Sequence, residues 1–270
     1  MLRDITLGQY YPVDSVLHRL DPRVKLMGTL VFIISLFLFE NFTGYIIATI
    51  FLVSVILLSK VPFGFMVRGL KAIVVLLLIT VIINLFATPG EAVWSFWRLS
   101  ITREGIHTAV FMMLRLIYLI IGSSVMTLTT TPKSLTDGLE KSLSPLNRIK
   151  VPVHEIAMMM SIALSFIPIL LEETDKIMKA QMARGADFES GNVFRRVKSL
   201  VPLLVPLFVS AFRRAGDLAM AMEARCYRGG TGRTKMKPLK YKMQDHIGYL
   251  LLAIYLAAII VVPRLVGKLF

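Results

Sequence analysis

Five mostly apolar runs, at residues 26–39, 45–59, 72–87, 106–130 and 247–262, constrain this chain more than any other feature. In lipid, the backbone amides of such runs find partners only if each run is a helix or part of a closed barrel. Crossing a bilayer takes about 20 residues. The first two runs reach that length only with their amphipathic flanks, and the five residues between them, Glu40-Asn41-Phe42-Thr43-Gly44, leave room for a hairpin alone. The third run closes at Thr88-Pro89-Gly90. The first run comes after Arg23 and Lys25 without a short apolar core and small-residue cleavage site, so it reads as a retained span with Met1 as the mature N-terminus. A hydrophobic content of 56% and a mean hydropathy of +0.70 agree. The expected fold class is an all-α polytopic membrane protein with about five transmembrane helices.

Charge orients the spans. Arg3, Arg19, Arg23 and Lys25 precede the first run and Lys60, Arg68 and Lys71 come after the second, whereas the tight connection between them has no cation. Positive charge favours the cytoplasmic side, so Met1 and residues 132–245 are expected there, the latter holding 19 of the 31 Lys and Arg residues. The net charge of +14 thus reads as cytoplasmic loops and not as a nucleic-acid surface. The outer connection, 91–104, carries Trp94, Phe96 and Trp97, residues suited to a membrane-interface belt. The chain divides into three segments: N-terminal transmembrane helices at 1–131, a coupling region at 132–245 and a last transmembrane helix at 246–270.

Within the coupling region, 156–171 and 199–212 are uncharged but short and interrupted by Pro168, Pro202 and Pro206. They read as helices in or just under the membrane face; as an extra hairpin they would raise the span count to seven and leave Arg184 and Arg225 on the cytoplasmic side. Glu172, Glu173, Asp175, Lys176 and Lys179 alternate with Ile177, Met178 and Met182, the pattern of an amphipathic helix. It ends at Ala183-Arg184-Gly185. A second helix, carrying Arg213, Arg214, Asp217 and Glu223, ends at Ala224-Arg225-Cys226, before Gly229-Gly230-Thr231-Gly232. Ile177 and Leu218, Ala180 and Ala221, and Ala183 and Ala224 occupy matching places before the two arginines. An arginine fork grips a carboxylate or carbonyl cluster, and small neighbours let another backbone approach. One such tip is a solvated helix end; two with matching neighbours read as docking elements.

Catalytic patterns are missing from the sequence. No Gly-rich loop ends in Gly-Lys-Ser or Gly-Lys-Thr. His154-Glu155 opens a zinc-protease motif, but Met158 stands in the motif and no second histidine occurs at ligand spacing. His18, His107, His154 and His246 lie on separate segments, and the single cysteine, Cys226, excludes an internal disulfide. No metal, cofactor or enzymatic activity is expected. Arg115 either faces the bundle interior or snorkels to an interface. Asp21-Pro22-Arg23 reads as a helix start, with Asp21 as N-cap and Pro22 in the first turn.

Together these residues resemble a known family, the transmembrane T component of energy-coupling factor transporters, a branch of the ATP-binding-cassette importers. The likeness covers nearly the whole chain: Gly8-Gln9-Tyr10, Asp14-Ser15, Leu17 to Arg23, Thr129-Thr130-Thr131-Pro132, Phe166-Ile167-Pro168 and both arginine tips. It implies a multi-pass subunit of a prokaryotic cell membrane, without an ATP site. In the lipid bilayer such a subunit links two ABC-type ATPase subunits to a small membrane-embedded, substrate-binding S component for uptake of vitamins or other micronutrients. A dedicated cobalt or nickel version is the alternative. By resemblance, Ala183, Arg184, Gly185, Ala224, Arg225 and Cys226 would contact the ATPases. Cys226 departs from the family glycine, and a backbone needing positive φ would be strained there.

Overall fold

The computed structural model describes residues 10–39, 41–96, 99–186, 188, 193–230 and 236–269. Gly8, Gln9, Glu40, Trp97, Gly191, Asn192, Thr231 and Gly232 lie outside these. Helices dominate: α1 (Val16–Arg19), α2 (Pro22–Leu38), α3 (Phe42–Ser59), α4 (Phe63–Ala87), α5 (Arg103–Thr129), α6 (Pro132–Leu143), α7 (Val153–Ala183), α8 (Val193–Ala224) and α9 (Met243–Leu269). The chain is an all-α polytopic membrane protein with one small addition. The connection at 91–104, expected as an aromatic interface belt, contains an antiparallel hairpin of β1 (Ala92–Phe96) and β2 (Leu99–Thr102), with Phe96 opposite Leu99. Alternating β-formers on either side of a two-residue connection suit such a ribbon.

Among the described residues five helices are long and apolar enough to cross a membrane: α3, α5, α7, Ser199–Ala224 of α8 and Met243–Val262 of α9, with the bent α4 a sixth if its two arms count as one span. The expected number holds, but the membership differs from the expected runs. At 17 residues α2 spans only about 25 Å, and α4 bends by 61° between Phe63–Lys71 and Ile73–Ala87. α7 and α8 qualify because they run unbroken through their prolines for 31 and 32 residues. A proline removes one backbone donor and strains the preceding turn, yet the ladder closes again one turn later. In α8, Pro206 leaves the Pro202 carbonyl without its helical partner, and the Gln181 side-chain amide donates to that oxygen across 3.5 Å.

Two compact units divide the chain. One comprises residues 8–139 and 239–270, so α9 packs with the N-terminal helices. Its core joins Phe32 and Leu36 of α2 and Phe39 at its C-cap, Tyr45, Ala48 and Leu52 of α3, Phe111, Ile121 and Val125 of α5, and Leu252, Tyr255 and Ile259 of α9. Tyr255 stacks on Phe51 at 4.1 Å, and its hydroxyl lies 2.7 Å from Ser35 Oγ. Because the Ser35 hydroxyl already donates to the Phe32 carbonyl, Tyr255 is the donor. Gly122 admits the Phe32 ring: a Cβ there would stand 2.7 Å from Phe32 Cε1.

Asp21 caps α2 by accepting the Arg23 N–H at 2.9 Å, with Pro22 in the first turn, as the sequence predicts. The buried Asp245 ties this start to α9, accepting the Asp21 N–H and the Lys242 N–H at 2.7 Å each. Arg23 completes the clamp, pairing with Asp21 at 2.9 Å and lying over the Tyr241 ring at 3.8 Å. Nearby, burial lowers the His18 pKa and keeps its imidazole neutral. Its Nε2–H donates to the Tyr11 carbonyl at 3.0 Å and its Nδ1 accepts from Ser15 Oγ at 2.7 Å. The other unit, residues 140–238 among those described, contains α7 and α8.

Candidate functional site

The two arginine tips terminate α7 and α8 with one hydrogen-bond pattern. At the end of α7 the Ala186 N–H reaches back to the Gln181 carbonyl and the Gly185 N–H to the Met182 carbonyl, each at 3.0 Å. At the end of α8 the Tyr227 N–H bonds the Met222 carbonyl at 3.0 Å and the Cys226 N–H bonds the Glu223 carbonyl at 2.8 Å. Both are Schellman closures, in which a left-handed residue turns the chain so that two orphaned carbonyls are satisfied. That residue is Gly185 at φ +89° in the first and Cys226 at φ +54° in the second. Arg184 and Arg225 occupy the C-cap position of each. There their charge complements the negative end of the helix dipole.

Ala183, Arg184, Gly185, Ala224, Arg225 and Cys226 are all exposed. Each tip therefore presents a cation beside two small residues. The tips are not neighbours. α7 and α8 run in opposite senses, with Glu173 facing Arg214 at 2.7 Å and Gln181 facing Pro202, so each tip lies at a different end of the helix pair.

Other singled-out residues have structural partners. His154 Nδ1 lies 3.0 Å from Glu140 Oε1, and Gly230 passes so close that a Cβ there would stand 2.3 Å from the imidazole. Among the described residues no three His, Cys, Asp or Glu side chains gather as a metal site would require. The half-buried Arg115 lies 5.1 Å from the Phe37 ring centroid, against the last turn of α2. A crevice of about 180 Å³ between α2, α3, α5 and α9 is apolar except for groups such as Lys25. The Lys25 ammonium donates to the carbonyls of Thr129 (2.8 Å) and His18 (3.2 Å). Sequence reasoning overlooked the Glu173–Arg214 contact, whose only signal is the opposite charge of the two helices at matching positions.

Residues 14–236 match the CbiQ family, described as cobalt transport protein. The chain is similar to the energy-coupling factor transporter transmembrane protein EcfT of Clostridium kluyveri, at 55% identity over 269 residues that cover 98% of each chain. It is 56% identical over 244 residues to the EcfT of Thermosediminibacter oceani, covering 90% of this chain and 92% of the relative. To that of Lactococcus lactis subsp. cremoris it is 44% identical over 247 residues, covering 91% and 93%. This extent of matching, over helices that include both arginine tips, makes the chain a multi-pass protein of the prokaryotic cell membrane and a member of the CbiQ/EcfT family of transporter T components.

Proposed function

We propose that this T component is the coupling scaffold of an ATP-driven importer, holding a small substrate-binding S component in the membrane and two ABC-type ATPase subunits beneath it. The observation that carries the reading is the duplicated tip, two exposed C-cap arginines on matching Schellman closures at opposite ends of the antiparallel α7–α8 pair. A paired device suits a paired partner. The chain has no phosphate-cradling sequence, so it draws on ATP only through surfaces whose contacts differ between nucleotide states of the ATPases. Arg184 and Arg225 grip acidic or carbonyl-lined grooves, while Ala183, Gly185, Ala224 and Cys226 permit close approach.

In this reading residues 1–131 and 246–270 form the membrane scaffold and residues 132–245 the coupling region. The packing of α9 with the N-terminal helices in one unit and of α7 with α8 in another supports the division. Uptake of a vitamin or related micronutrient is the proposed activity. The cobalt description of the matching family favours a second reading, a dedicated cobalt or nickel T subunit.

Affinity purification of the full chain in mild detergent tests the proposal. Two ATPases and a small hydrophobic protein are expected to co-purify, and the ATPases are expected to be lost from the Arg184→Glu/Arg225→Glu double variant. Retention of the ATPases by that variant would overturn the docking roles. Labelled cobalt and vitamin uptake by the same complex separates the two substrate readings.

A further inference from the structure

The register that relates the two tips also relates the two residues of an ion pair that joins α7 to α8. A shift of 41 positions carries Arg184 onto Arg225, Ala180 onto Ala221 and Ile177 onto Leu218. The same shift carries Glu172 onto Arg213, Glu173 onto Arg214 and Lys176 onto Asp217. The tips repeat with the same sign of charge, whereas these positions behind them repeat with the opposite sign. Of these equivalents, Glu173 and Arg214 form an ion pair at 2.7 Å. Ser210, one turn before Arg214, also hydrogen-bonds the Glu173 carboxylate.

Two repeated helices that run in opposite senses and meet at equivalent residues cross about a local two-fold axis. At such an axis each residue meets its own counterpart. Identical charges would repel there, and reversing one of them converts the crossing into an attraction. Each arginine tip lies eleven residues from the crossing, about 16 Å along its helix, and in opposite directions. The crossing is the point that moves least when the angle between the helices changes, and the tips are the points that move most.

We propose that the Glu173–Arg214 pair is the pivot of the two helices, a positioning contact that sets their crossing angle and hence the separation of Arg184 and Arg225. The inference rests on the reading of those tips as docking elements. Side-chain exposures of 26% for Glu173 and 39% for Arg214 suit a pivot rather than a weld. A partly exposed pair favours one angle by roughly fivefold at most. At that strength the angle is preferred but remains free to respond to the ATPases.

Spin labels on cysteines at Met182 and Glu223, exposed equivalents near the tips, in a Cys226→Ala background of the full chain in nanodiscs, report the angle as a distance. Arg214→Glu is expected to shift that distance by several ångströms, and the exchanged pair Glu173→Arg/Arg214→Glu to restore it. Arg214→Gln, which removes the pair without repulsion, is expected to broaden the distribution and covers the case in which reversal impairs folding. In the complex with the ATPases, an ATP analogue is expected to change the distance in the parent. That change should be at least halved in Arg214→Gln although the ATPases still co-purify, a readout that a merely stabilising pair would leave alone. An unaltered distance in both Arg214 variants, or an exchanged pair no better than Arg214→Glu, would overturn the pivot. The label distance in the free chain needs no partner, so failure of the docking reading is seen separately, as ATPases retained when both tips are reversed.

Discussion

Two helix ends in this chain adopt the same hydrogen-bonded shape with different residues at the left-handed position. Gly185 sits at φ +89°, a region that L side chains rarely enter, and its missing Cβ makes the conformation inexpensive. Cys226 sits at φ +54°, close to the centre of the left-handed region, where a side chain is tolerated at a cost of roughly 1–2 kcal/mol. The closures themselves agree within about 0.2 Å in their hydrogen-bond lengths. Backbone geometry is therefore the constant and glycine one means of reaching it. What the two ends share, an exposed C-cap arginine next to a small residue, is what a partner would meet.

Reversing the arginines tests that comparison most severely. Arg184→Glu and Arg225→Glu should each weaken association with the ATPases by at least a hundredfold in a binding assay. Removing one partner of a desolvated pair costs about 3–5 kcal/mol, and each 1.4 kcal/mol is tenfold. If only one reversal has this effect, the two ends are alike in shape and unlike in role. A smaller effect is expected from Gly185→Ala, which forces a Cβ into φ +89° and should loosen the last turn of α7 by about 1–2 kcal/mol. Ten- to thirtyfold faster amide exchange at the substituted position and at Ala186, read by mass spectrometry, is the expected signature. No change there would show that the turn is held by something other than its backbone.

Much of this was legible in the sequence because it is local. Asp21 before Pro22 announces a helix start, and Arg184-Gly185 a helix stop, within a few residues. The strain foreseen at Cys226 corresponds to its positive φ. The continuity of α7 and α8 was not legible, because prolines weaken a helix locally while packing along its whole length decides whether it persists. Long-range contacts were equally hidden. Nothing near Asp245 indicates that its carboxylate accepts the Asp21 N–H 224 residues away, and only the opposite charge at matching places of the two helices hints that Glu173 meets Arg214. Sequence carries the periodicity of each helix face but not which face meets which, and that register is settled by packing.

The exposed Cys226 thiol gives a direct comparison between the free and the assembled second tip. A polar maleimide should label it readily in the purified chain, and docking of an ATPase should slow labelling about tenfold or more, as expected when a contact removes most of a group's solvent access. A cysteine introduced at Ala183 in a Cys226→Ala chain supplies the equivalent reading at the first tip. Equal protection at both would make the tips functional counterparts. Labelling of Cys226 at the same rate in the free chain and in the complex would remove the second tip from the interface and leave Arg184 alone in its role.

The smallest expected effect bears on the residue that distinguishes the two ends. Cys226→Gly removes the left-handed penalty of roughly 1–2 kcal/mol, but glycine also gives the unfolded chain more freedom, which offsets about 0.4–1 kcal/mol. Because the Cys226 side chain is exposed, little packing is lost with it. The balance should be a gain of about 0.5–1 kcal/mol at the end of α8, seen as twofold to fivefold slower amide exchange at Tyr227, whose N–H closes the turn onto Met222. ATPase binding by Cys226→Gly should match the parent, since the closure, the exposed Arg225 and the room for a partner's backbone are all kept. A gain in protection accompanied by a loss of binding would mean that the thiol is itself part of the contact and that the second tip is more than a strained copy of the first.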